Sequence, residues 1–142
     1  MTARILVIED NPANLELITY LLRAFKYTVL TALDGDEGIN FVHGEMVDLV
    51  ICDVHLPGVD GYEVANRLKE HPVLHKIPLV AVTALAMVGD REKVLAAGFD
   101  GYISKPIIPE IFVQQIEVFL DRKAVPRNGA ALEKELKWRL FS

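Results

Sequence analysis

Glu9-Asp10, Asp53, Thr83 and Lys105-Pro106 are the positions at which this sequence could do chemistry. Each stands at the end of a short run that reads as a strand: Ile5-Leu6-Val7-Ile8, Leu49-Val50-Ile51-Cys52, Leu79-Val80-Ala81-Val82 and Tyr102-Ile103-Ser104. If those runs share one parallel sheet, three carboxylates, a hydroxyl and an ammonium face a single crevice. Three carboxylates so close repel, and one keeps its proton unless a cation intervenes. A hard divalent ion relieves the repulsion. Few protein carboxylates, with positions left for water and phosphate oxygens, favour Mg²⁺ over a closed Ca²⁺ cage. No cysteine or histidine cluster points to zinc. Metal, carboxylate, hydroxyl and lysine together make a phosphoryl site. An aspartate there can act as nucleophile and form an aspartyl phosphate. The metal and Lys105 would neutralise equatorial oxygen charge in a loose transition state, while Thr83 donates a hydrogen bond to a phosphoryl oxygen. The covalent phosphate then serves as product and signal, adding about −1.5 to −2 charges near neutral pH.

The elements that must position these groups alternate along the chain. Ile5–Ile8 is short, branched and continuous, as expected of a strand buried on both faces. Asn11-Pro12 supplies an N-cap followed by proline at the first helical position. Leu15, Ile18, Leu22 and Phe25 then mark one helix face. Thr28 to Ala32 reads as a second strand. A helix over about Asp36 to Glu45 follows, with Ile39, Val42 and Met46 inward. After the third strand, Pro57-Gly58-Val59-Asp60-Gly61 is loop chemistry. Asp60 and Glu63 resemble a capping box for a helix to about Glu70. Gly89-Asp90 opens a helix that Gly98 closes, and Phe112, Ile116, Phe119 and Leu120 line the last one. Five β-α repeats imply right-handed crossovers and an α/β fold, a doubly wound five-stranded parallel sheet with helices on both faces. In such sheets the functional crevice lies beyond the carboxyl ends of the strands, at a topological switch point.

Length and composition bound the rest. A chain of 142 residues fits one domain, and 51% hydrophobic with 25% charged residues is a globular balance. Cys52 is the single cysteine and excludes an internal disulfide. No apolar run approaches the roughly 20 residues of a membrane span, and the amino terminus lacks the layout of a signal peptide. The expectation is a cytoplasmic protein without a membrane partner. Residues 1–121 hold nine Lys/Arg against eighteen Asp/Glu, a balance of −9, whereas residues 122–142 hold six against two, a balance of +4. An acidic body disfavours nucleic acid as a partner. Residues 124–130 read as a linker, and Leu132, Leu136 and Leu140 as one short amphipathic helix. Its apolar residues, with Trp138 and Phe141, could dock on the body, bind a partner or fray.

Taken together, Glu9-Asp10, Asp53, Thr83 and Lys105-Pro106 resemble the signature of response-regulator receiver domains, over about residues 3–122, with 123–142 as linker and helix. The segments Ala81-Val82-Thr83-Ala84-Leu85-Ala86-Met87 and Tyr102-Ile103-Ser104-Lys105-Pro106-Ile107 are similar to those of DivK-type single-domain regulators; receivers attached to hybrid histidine kinases carry similar segments. The resemblance implies the flavodoxin-like fold of the chemotaxis regulators and a role for each residue. Asp53 would be the phosphoacceptor. Glu9, Asp10, Asp53 and the backbone carbonyl of His55 would hold Mg²⁺. Thr83 and Lys105 would bind the phosphoryl group. Tyr102 would be an aromatic switch residue coupled to Thr83, and the Lys105-Pro106 peptide would be cis, a state only X-Pro bonds reach cheaply. The implied partners are a histidine kinase or histidine phosphotransfer protein as donor, a downstream protein as output, and a second copy after phosphorylation. Such a protein catalyses only its own phosphorylation and slow dephosphorylation.

Other readings of the same residues are narrower. Glu9-Asp10 alone would suit a helix start, and Asp53 alone a loop cap; Lys105-Pro106 makes the joint reading stronger. His55 and Leu85 are candidates for setting how water reaches the phosphoryl group. His43, His71 and His75 read as surface residues, and Cys52 as a small core residue turned away from the site by the pleat. An aspartyl-phosphate hydrolase of the haloacid dehalogenase type would need a second aspartate where His55 stands. A flavodoxin-like electron carrier would need a phosphate cradle where the first loop is acidic.

Overall fold

The structure, a computed structural model, describes residues 2–84 and 89–120. Leu85 and the expected linker and helix of 123–142 lie outside the described residues. Within them the chain runs β1 Arg4–Ile8, α1 Pro12–Ala24, β2 Thr28–Ala32, α2 Gly35–Gly44, β3 Leu49–Cys52, α3 Gly61–Glu70, a 3-10 turn Leu74–Lys76, β4 Leu79–Thr83, α4 Asp90–Ala96, β5 Gly101–Ser104 and α5 Pro109–Leu120. The strands pair in parallel in the order β2-β1-β3-β4-β5. The chain therefore moves outward from β1 to β2, then crosses back to β3. The switch point lies between β1 and β3, as the doubly wound reading requires.

Alternation along each strand divides the core into two layers. Leu6, Ile8, Val50, Cys52, Leu79 and Ala81 face α2, α3 and α4, where Ile39, Val64, Leu68 and Val94 meet them. Ile5, Val7, Leu49, Ile51, Val80 and Val82 face α1 and α5, against Ile18, Leu22, Phe112, Ile116 and Phe119. Continuous apolar strands are required because both faces are covered. Each fully buried large side chain contributes about 1.5–3 kcal/mol by removal from water.

Caps account for the helix starts. Asn11 Oδ1 accepts from the Asn14 amide at 3.1 Å, Asp34 Oδ1 from Glu37 at 2.8 Å and Asp60 Oδ1 from Glu63 at 2.9 Å. The Glu63 carboxylate turns to Arg67 at 3.0 Å rather than back to its cap.

Two expected inward residues face solvent. Phe25 is exposed because α1 ends at Ala24 and the chain turns there. Lys26 adopts φ 73°, its amide donates to Arg23 O and the Tyr27 amide to Leu22 O, so Tyr27 folds back over the apolar face instead. Met46 is 79% exposed, because α2 ends at Gly44 and the extended residue 45 breaks the helical period before it arrives.

Candidate functional site

Ile8 lies beside Cys52 in the β1–β3 register, so Glu9 and Asp53 leave neighbouring strands side by side. The Asp53 amide still donates to Ile8 O at 3.0 Å, and the Glu9 amide to Ala32 O at 3.0 Å. Backbone pairing thus continues one residue past the strands and fixes where both carboxylates start. Across the sheet, Thr83 ends β4 beside Ser104, and the Lys105 amide donates to Thr83 O at 3.1 Å. The Lys105-Pro106 peptide is cis.

The side chains converge. Lys105 Nζ lies 2.7 Å from Asp53 Oδ2 and 2.6 Å from Glu9 Oε1. Asp53 Oδ1 accepts the His55 amide at 2.9 Å, and Glu9 Oε2 the Asn11 amide at 3.2 Å. Asp10 joins them: one carboxylate oxygen from each of Glu9, Asp10 and Asp53 falls within 4.8 Å of the others. Glu9 and Asp53 are buried and Asp10 is exposed, so the cluster opens to solvent on one side.

The two buried carboxylates are not equivalent. Burial is the largest influence on Glu9, and with the Asp53 charge it raises the Glu9 pKa despite Lys105 and the Asn11 amide. Burial would raise Asp53 as well, but the Lys105 hydrogen bond, the His55 amide and the Lys105 charge outweigh it, so Asp53 is held below its usual value. Burial would lower Lys105, yet hydrogen bonds to Asp53 and Glu9 raise it. Asp53 is therefore the carboxylate kept ionised, with a cation already against it.

The site also has an unsatisfied group. The Thr83 hydroxyl is buried beside Asp53, close enough to help lower that carboxyl, yet among the described residues it makes no hydrogen bond of full geometry. An unpaired buried hydroxyl costs about 1–3 kcal/mol, which a polar group seated beside it would recover. The donor set suits a hard cation: three carboxylates, all oxygen, one exposed, with no sulfur or imidazole among them.

Tyr102 is half-buried against the layer under α2–α4. It lies beside Ala81, two residues before Thr83 on the same face of the sheet. Cys52 is fully buried in that layer too, its Sγ donating to Asp53 O at 3.2 Å, and burial pushes its thiol well up, so it is inert. The His55 side chain is exposed. His71 is more than a surface residue: its Nδ1 accepts the Val73 and Leu74 amides at 3.1 and 3.0 Å.

Two contributors carry no functional mark in the sequence. Asn11 caps α1, and its amide, two residues after Glu9, also holds that carboxylate. Gly61 belongs to the loop chemistry of 57–61, yet a Cβ there would collide with Asp53 O and Val54 Cα. Glycine alone lets α3 begin against the backbone that carries Asp53.

The model of the response regulator receiver domain matches residues 5–117. The chain belongs to the response regulator receiver domain family. It is a DivK-like receiver of two-component signal transduction, a class of signalling switches. The DivK polar-differentiation response regulator of Brucella ovis is 38% identical over 120 residues, covering 84% of this chain and 98% of that protein. Two solved receivers from histidine kinases are also similar. That of Syntrophus aciditrophicus is 30% identical with a TM-score of 0.79, covering 89% of this chain and 94% of its own. That of a Pseudomonas aeruginosa sensor kinase is 33% identical with a TM-score of 0.75, covering 86% and 97%, and holds a magnesium ion in its active-site cleft.

Proposed function

We propose that this receiver accepts a phosphoryl group on Asp53 from a phosphohistidine donor and uses it to change its protein contacts. The observation that carries the reading is the convergence on Asp53: Lys105 Nζ at 2.7 Å from its Oδ2, beside two further carboxylates within 4.8 Å. Asp53 Oδ attacks phosphorus, the P–N bond to the donor imidazole breaks, and the imidazole nitrogen keeps the electron pair. The Asp53 carboxylate is the nucleophile because Lys105 and the His55 amide keep it ionised. Lys105 then pairs with a phosphoryl oxygen, and the Thr83 hydroxyl donates to another.

Mg²⁺ is the ion these residues fit. Glu9, Asp10, Asp53 and the His55 carbonyl would hold it, and when bound it supplies charge neutralisation at the phosphoryl oxygens. Its presence in the cleft of the Pseudomonas aeruginosa receiver supports the choice.

Output follows from Thr83. Drawn toward the phosphoryl group, it leaves space on the face it shares with Tyr102. Tyr102 moves inward, and the surface made by α4, β5 and α5 changes shape. A full inversion of the population from 1:99 to 99:1 needs about 5.5 kcal/mol. One charge-assisted hydrogen bond supplies roughly 1.5–3 kcal/mol. Lys105, the metal or the bound partner must therefore contribute the remainder.

The likeness to DivK supports output through protein contact, self-association included, and the likeness to receivers of histidine kinases keeps a module of a larger kinase system as the alternative. No described helix is long and apolar enough to cross a membrane.

The test is direct. Acetyl phosphate with Mg²⁺ should add one phosphoryl group to the wild type and none to Asp53→Asn. Labelling retained in that variant would overturn the assignment. Rapid multiple turnover of a phosphate monoester would favour a hydrolase instead.

A further inference from the structure

The second concave feature of the molecule lies at the pole opposite Asp53, where the strands begin. It is a groove of about 1070 Å³ whose apolar wall comes from Ala3, Tyr27, Met46, Pro78, Phe119 and Leu120. Nothing in the phosphoryl-transfer reading uses it. Met46 is the most exposed large apolar side chain described, at 79%, and it sits on this wall rather than in the core.

We propose that this groove seats the chain's own carboxyl-terminal segment, residues 130–142, through Leu132, Leu136 and Leu140. Three observations choose that occupant. The first is origin. Leu120, the last residue of α5, is itself part of the groove wall, so the segment departs from the site it would fill. Eleven residues, 121–131, lie between Leu120 and Leu132. At about 3.3–3.6 Å per extended residue they reach roughly 40 Å, beyond the ~30 Å breadth of a small domain. Ten helical residues would then occupy about 15 Å.

The second is charge. Every helix of a doubly wound parallel sheet runs against its strands, so α1, α2, α3, α4 and α5 all end at this pole. Their carboxyl ends carry partial negative charge. Two of the groove's cations are already engaged, Arg4 with Glu45 at 3.2 Å and Met46 O, and Lys69 with Asp100 at 3.1 Å and the carbonyls of His75 and Ile77, while Lys76 is exposed on the same lining. The Asp48 carboxylate meets a neutral donor, the Arg4 amide at 2.7 Å. Residues 130–142 carry a balance of +1 and the linker before them, with Arg122, Lys123 and Arg127, a further +3, which together complement this pole and the −9 of the body.

The third is apolar match. Leu132, Leu136 and Leu140 recur every fourth residue and form one stripe. Such a stripe needs a cover, and the groove offers an apolar wall beside the point where the segment departs. Docked there, the segment leaves the Asp53 crevice and the α4–β5–α5 face open.

On a helix Trp138 lies about 200° from Leu136, on the face away from the groove, so the reporter is moved onto the stripe by Leu136→Trp in a Trp138→Phe background. In that chain, kept dilute, the emission should be blue-shifted and acrylamide quenching several-fold weaker than in urea, without any phosphorylation step. Adding Met46→Arg or Leu132→Asp should each shift the emission red and restore quenching. Leu33→Arg, an exposed change near the other pole, should leave it as it was. Circular dichroism of each variant checks that the body is folded. A fully quenchable indole at position 136 would overturn the proposal. So would shielding that survives Met46→Arg, which places the segment elsewhere, or shielding that vanishes on dilution, which places it on a second copy.

Discussion

Asp53 and Glu9 are both buried carboxylates on one lysine, yet their surroundings push them in opposite directions. The consequence is testable through stability. A carboxyl whose folded pKa is raised favours folding in its protonated form, and that contribution is lost as pH rises through the folded value. Ionised Glu9 therefore weakens the metal-free fold at neutral pH. Glu9→Gln should leave its melting temperature unchanged or higher at pH 7.5, while removing most of the rise that millimolar Mg²⁺ gives the wild type. A wild type indifferent to Mg²⁺ would count against a shared cation site. Asp53 has the reverse sign. Its depressed pKa contributes stability that is present above the ordinary carboxylate value and lost as pH falls through the folded one. An acid titration of unfolding should accordingly show a smaller loss for Asp53→Asn than for the wild type.

At the scale of elements, two positions set how the site is carried. Gly61 opens α3 with its amide on Val54 O at 3.0 Å. Any side chain there meets Asp53 and Val54 backbone, which cannot swing aside. Gly61→Ala should cost about 1–3 kcal/mol by overpacking and slow labelling of Asp53, because α3 and the phosphoacceptor must separate. Urea unfolding and acetyl phosphate kinetics measure the two effects. Lys26 closes α1 in a left-handed conformation that glycine adopts without penalty. Lys26→Gly should stabilise the chain by about 0.5–1 kcal/mol with phosphorylation unchanged, because the strain relieved, roughly 1–2 kcal/mol, is partly offset by glycine's unfolded-state entropy. Local chemistry made the caps legible: Asn11-Pro12, Asp60 and Gly98 each stand where a helix starts or stops. It misled at Phe25 and Met46, because helical period was carried past the ends of α1 and α2, where backbone turns and not side-chain spacing decide direction.

Across the whole molecule, the proposed output depends on Thr83 and Tyr102 sharing one sheet face under α2–α4. Tyr102→Ala should preserve labelling of Asp53 but weaken the gain in partner affinity that phosphorylation gives. Equal loss of both would make Tyr102 a packing residue.

The order of apolar runs and the residue types at their ends were enough to announce a parallel α/β sheet with carboxylates, a hydroxyl and a lysine gathered at one edge, since strands buried on two faces must be continuously apolar and polar groups must wait at their ends. Strand order, register and the asymmetry between Glu9 and Asp53 were decided only by the tertiary structure. Those depend on contacts between residues far apart in the chain, such as Ile8 beside Cys52 and Lys105 against Asp53. No local pattern encodes which distant partner a strand or a charge will meet.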